Sequence, residues 1–159
     1  MNQAHRAIPD NRSALAFNSV WTREAIFIDT AEEYQPASAI DICRDVTVRL
    51  EVTVKLVDLG RRAFVRLRAQ VDPPAAVAAF SKLSAAVEGV FSLFDGDDQT
   101  KLNAFARGQA PVLLLPYLRA VISSITAQSR MGAIVLPPIN MVQIIERMQS
   151  STEIEQATR

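Results

Sequence analysis

Between Asp45 and Val57, apolar and polar residues alternate without a break. Val46, Val48, Leu50, Val52, Val54 and Leu56 stand on one side, and Thr47, Arg49, Glu51, Thr53 and Lys55 on the other. A period of two sustained this long predicts a strand with one buried face and one wet face. Asp58-Leu59-Gly60 follows as a turn signal. A second strand then runs from about Arg62 to Val71, with Ala63, Val65, Leu67, Ala69 and Val71 inward and Arg66, Arg68 and Gln70 outward. The pair predicts an antiparallel hairpin. On its wet face Glu51 can oppose Arg66 or Arg68, worth a few tenths of a kcal/mol per pair.

The rest of the chain supplies partners for this hairpin. Leu15 to Ile28 reads as an earlier strand, with Val20, Thr22, Glu24, Ile26 and Ile28 on one face and Phe17, Ser19, Trp21, Arg23, Ala25 and Phe27 on the other. Asp29 to Arg44 shows no lasting period and reads as a long connection. Asp72-Pro73-Pro74 stops the hairpin, and Ala76, Phe80, Leu83 and Val87 are helix-spaced, so a short helix is expected over 75–86. Val87 to Phe94 reads as a fourth strand, and Thr100 to Arg107 as a short helix ending at Gly108. From Pro111 to Met148 the chain predicts a long apolar helix, a loop, a double proline and a second, shorter helix. In the long helix Leu114, Leu118, Val121 and Ile125 form a stripe that Leu115 and Ile122 widen. The opposite face carries Ala120, Ser123, Ser124 and Ala127. Such a helix can cover a sheet with its stripe and meet another subunit with its small residues. The same pattern also describes a single core helix with a weakly polar outside. The expected organisation is one domain over 14–149, between a disordered tail at 1–13 and a flexible one at 150–159.

Composition narrows the function. The 17 basic and 17 acidic residues leave no positive excess for nucleic acid. One cysteine, Cys43, and one histidine, His5, argue against a disulfide framework and against metal sites built from those ligands. Cys43 has no histidine to activate it, and no Gly-rich phosphate loop is present. Asp95 to Asp98 lacks the spaced ligands of a calcium loop. No catalytic residue and no cofactor are expected. No uninterrupted apolar run suggests membrane insertion, and the first residues lack the apolar core of a signal peptide, so a cytoplasmic setting is expected.

The second helix carries Met141, Ile144, Ile145 and Met148 as an apolar stripe. Stripes like this usually belong to a core, but methionine also suits an adaptable binding surface. The preceding loop, Gly132 to Pro138, is unusually apolar. Together with Tyr34 and Pro36, the loop residues Val135 and Leu136 and that stripe make a candidate groove for extended polypeptide. Tyr34, Val135, Met141 and Met148 are the positions expected to be exposed.

The order of several short motifs resembles the SecB family of protein-export chaperones. They are Val20 to Phe27, Tyr34-Gln35-Pro36, Ile40-Asp41-Ile42, Gly89-Val90-Phe91-Ser92-Leu93, Pro111 to Arg119, and Leu136-Pro137-Pro138-Ile139-Asn140. The resemblance implies an α+β fold, a four-stranded antiparallel sheet packed by two C-terminal helices. The extra helix over 75–86 would be an insertion between strands 3 and 4. It implies a homotetramer, a dimer of dimers, that holds unfolded polypeptide without ATP and passes it to the SecA motor. Glu24 matches an acidic position for SecA contact, whereas Ile28 and Arg68 stand where acidic residues are expected, so weak or absent SecA binding is expected. Some SecB-like proteins instead protect an antitoxin. The reading from another class is a structural scaffold whose apolar stripes are all buried by self-assembly.

Overall fold

The computed structural model describes residues 15–29, 46–74, 80–93 and 99–147. Four strands, β1 (Leu15–Ile28), β2 (Thr47–Val57), β3 (Arg62–Asp72) and β4 (Lys82–Leu93), form one antiparallel sheet in the order β1-β4-β3-β2. A long helix, α1 (Gln99–Thr126), lies mainly across β3 and β4, and a second helix, α2, covers 141–147. The fold is the expected α+β class.

The hairpin forms as its alternation requires. Val48 to Val54 face the core and Thr47 to Lys55 face outward, while Ala63, Val65, Leu67, Ala69 and Val71 are buried. Asp58, Leu59 and Gly60 all take positive φ at the turn (51°, 55° and 81°). The Gln99 side-chain amide donates to the Leu59 carbonyl, which ties the turn to the start of α1. A Cβ on Gly60 would lie 2.9 Å from Gln99 Cδ, so glycine serves both the backbone angle and the contact.

Three expectations are corrected. First, strict alternation fails in β1. Its register against β4 steps from Phe17 to Ser19 and from Thr22 to Glu24, leaving Asn18 and Arg23 without opposite residues. Each bulge reverses the parity of the residues beyond it. Phe17, Val20, Thr22, Ala25 and Phe27 therefore share the α1 side with their partners Phe91, Gly89, Val87, Ala85 and Leu83, whereas Trp21, Glu24, Ile26 and Ile28 share the outer side.

Second, residues 82–86 of the expected 75–86 helix are strand; 75–79 lie outside the described residues. From Leu83 to Phe91 every residue of this central strand is buried. A strand covered on both sides shows no alternation, so Ala85-Ala86-Val87 carried no period-two signal, and sheet pairing overrode helix propensity.

Third, the expected break at Gly108 does not occur, and one helix runs through Gly108, Pro111 and Pro116 for 28 residues, about 42 Å. Each proline removes one helical hydrogen bond. What holds the helix is a ladder spaced by four: Leu102, Ala106, Ala110, Leu114, Leu118, Ile122 and Thr126 are all fully buried. Ile122 is thus a core residue, with Leu115, Val121 and Ile125 half-buried flanks. Where α1 crosses β4, a Cβ on Gly89 would sit 2.8 Å from Leu114 Cδ2, so glycine sets the closeness of helix and sheet. By length and composition α1 also reaches what a membrane span requires.

Candidate functional site: an apolar groove between the helices

The segment joining the helices is pinned to α1 by two side chains. Thr126 Oγ1 donates to the Ile122 carbonyl and accepts from the Ile134 backbone N–H, each at 2.8 Å. Arg119 Nη2 donates to the Leu136 carbonyl at 2.8 Å. Between these pins the segment alternates: Ile134 and Leu136 are fully buried and Val135 is 51% exposed. Asn140 then starts α2, its Oδ1 accepting from the Gln143 N–H at 3.3 Å as an N-cap does.

So placed, α2 and the first half of α1 enclose a groove of about 530 Å³. Gly108, Gln109, Val112 and Leu113 line it from α1, and Val142, Ile145 and Glu146 from α2. Leu113 and Val142 are 45% and 58% exposed. Exposed apolar side chains converging on a concave surface suit a partner that is itself apolar. The described lining offers no nucleophile–base pair, and the chemistry available is hydrophobic burial.

The expected groove residues divide. Val135 is exposed, Ile144 is half-buried, and Leu136, Met141 and Ile145 are buried, Ile145 on the groove wall. Met141, expected at the surface, is only 3% exposed: as first residue of α2 it faces inward, in the same core cluster as Met131 and Ile134. Tyr34, Pro36 and Met148 lie outside the described residues. Val112, Leu113 and Val142 were missed. Val112 to Leu115 is an unbroken apolar run, which hides the outward members, and Val142 falls off the α2 stripe.

Farther along α1 and just past its end, Ala120, Ser124 and Ala127 are exposed and Ser123 is half-buried. They continue one line from Leu113 and Tyr117. Near the β1 edge, Phe17 stacks on Phe91 at 4.9 Å and meets the Tyr117 ring edge-on at 5.8 Å.

The outer face of the sheet is a set of ion pairs. Arg66 donates to Glu88 through Nε and Nη2, at 3.1 and 3.0 Å. Arg68 Nη2 donates to Glu24 at 3.0 Å, and its Nη1 lies 4.0 Å from Glu51, the residue opposite Arg68 in register. The Ser84 hydroxyl also donates to Glu24. That hydrogen bond first, and the Arg68 guanidinium after it, hold the Glu24 carboxyl below its usual range against the opposing effect of burial. The second bulge of β1 is what puts Glu24 on this face beside Ser84 and Arg68.

Sheet order, long crossing helix and short second helix together are a SecB-like fold. The chain superposes on the Mycobacterium tuberculosis SecB-like chaperone Rv1957, solved in complex with a ChAD peptide from the HigA1 antitoxin. The TM-score is 0.60, with 13% identity, over 80% of this chain and 88% of that one. In sequence, 71 residues are 36% identical to an uncharacterized protein of Methanocaldococcus jannaschii, and that match spans 45% of each protein. No protein-family model matches the chain.

Proposed function

We propose that this protein is a SecB-like chaperone that holds, without ATP, an apolar segment of a non-native antitoxin in the groove between α1 and α2. The observation that carries this reading is the groove itself: open, apolar, lined by Leu113 and Val142, and set in the fold of a chaperone solved with an antitoxin peptide. Val135 extends the apolar surface, with Tyr34, Pro36 and Met148 as further contributors. The protein is not an enzyme in this reading and acts in the cytoplasm as a homotetramer, a dimer of dimers. Ala120, Ser123, Ser124 and Ala127 make the subunit contact, and Ala120 to Ala127 lies about 10–21 Å along the helix from Leu113, which leaves room for both uses of α1.

General export service is the less supported version. A basic SecA segment needs a free acidic surface, and the Glu24 carboxylate is already shared by Ser84 and Arg68. The two versions part on client range. Fluorescence anisotropy with overlapping peptides from the antitoxins of the source genome, and with reduced, carboxymethylated α-lactalbumin as an unfolded protein, separates them. A dedicated chaperone binds antitoxin peptides and ignores α-lactalbumin; a general holdase binds both. Binding of neither at micromolar concentration removes the chaperone reading and leaves the scaffold.

A further inference from the structure

Gly108 is the tenth residue of α1, at a point where the helix needs no glycine. Its φ is not positive, and a Cβ built on it meets no atom within 4 Å. An alanine would therefore fit without strain and would stabilise the helix, because glycine loses the most backbone freedom on folding. The other glycines with neighbours behave differently: on Gly60 and Gly89 a Cβ would collide, at 2.9 and 2.8 Å. Of these glycines Gly108 alone lines the groove, half-buried, next to the exposed Gln109 and one turn from the exposed Val112 on one side and from Ala104, small and exposed, on the other. The absent side chain leaves a bare stretch of helix backbone on the groove wall. Close approach of the backbone to a ligand is one of the uses that glycine alone serves.

We infer that Gly108 is a specificity-determining residue of the groove, kept free of a side chain so that the main chain of an extended client crosses α1 there. The inference rests on the groove being the client site. It adds a requirement on the client. The segment must bring backbone to Gly108 and place its branched apolar side chains ahead of and behind that crossing, toward Val112, Leu113 and Val142. A client that presents a bulky side chain at the crossing is rejected.

The test is Gly108→Ala and Gly108→Val, beside Leu113→Gln, in the full chain. Three measurements are made on each: thermal unfolding, sedimentation, and anisotropy with the tightest-binding antitoxin peptide and with unfolded α-lactalbumin. Gly108→Ala is expected to melt about 2–4 °C higher than wild type. It is also expected to bind the peptide about 5- to 150-fold more weakly, the range of an overpacked contact. Gly108→Val loses more binding, and both variants keep the wild-type sedimentation coefficient. Higher stability with weaker binding is an opposition that a merely structural glycine does not produce. The inference is overturned by Gly108→Ala binding as tightly as wild type while Leu113→Gln binds weakly; the groove then remains the client site. A lower melting temperature for Gly108→Ala overturns it too, since the glycine would then serve the fold. So does a change in sedimentation, which would assign the clearance to a second copy of the chain. A wild type that binds neither probe removes the client site and this inference together.

Discussion

Thr126 offers the sharpest test of how the groove is held open. Its side chain is fully buried, and its hydroxyl is the acceptor for the Ile134 N–H, also fully buried, at 2.8 Å. Thr126→Val keeps the shape and removes the hydroxyl. The Ile122 carbonyl loses only its second donor, because it still accepts the ordinary helical bond. The fully buried Ile134 N–H loses its partner, which costs about 1–3 kcal/mol. At roughly 2–4 °C per kcal/mol for a chain of this length, the melting temperature falls by about 2–12 °C. Thr126→Ser keeps the hydroxyl and loses a methyl, a change of about 1 kcal/mol, so the serine variant should be the more stable of the two. Amide exchange should localise the effect: protection of residues 133–140, which lead into α2, falls in the valine variant more than protection of β3. A valine variant as stable as wild type, with unchanged exchange in this segment, would refute the pinning argument.

The same geometry sets four further outcomes. Leu113→Gln and Val142→Gln, at exposed groove positions, should change stability by no more than about 0.5 kcal/mol while weakening client binding; equal binding in both variants would remove the groove. Met141→Gln should lower the melting temperature by several degrees, because Met141 is in the core; an unchanged melt would put that side chain at the surface. Ala120→Phe or Ala127→Phe should disturb the oligomer by about 1–3 kcal/mol in sedimentation, since both positions are exposed in one subunit, and a wild type monomeric at micromolar concentration would end the interface proposal. Glu24 has a folded pKa below its unfolded value, so its contribution to stability is present above the unfolded pKa and is lost as pH falls through the folded one; Glu24→Gln should therefore flatten the acid side of the stability–pH profile, and an unaltered profile would mean that the Ser84 and Arg68 contacts are not made in solution.

What the sequence by itself determined is the part governed by local periodicity. The β2–β3 hairpin has one buried and one wet face, so its residues alternate and its faces could be read directly; Glu51 was narrowed to Arg66 or Arg68, and the structure pairs it with Arg68. The same holds for the existence of a long apolar helix followed by a short one; the α+β class was legible through the order of motifs that resembles the SecB family. Tertiary structure decided what local pattern cannot encode. A central strand covered on both sides has no period, so β4 was half hidden in Ala85-Ala86-Val87. A bulge is one unpaired residue and changes no composition, yet two of them put Ser19 to Thr22 out of phase with the rest of β1 and so separated Glu24, on the outer surface, from Val20 and Thr22. Gly108, Pro111 and Pro116 announce a helix end, and only packing of the four-residue ladder on β3 and β4 overrides them. The groove belongs to this second group. Every apolar residue of α2 is a plausible core residue in the sequence, and the one most exposed, Val142, is known only once Thr126 and Arg119 have fixed the segment before it and so the side that α2 turns outward.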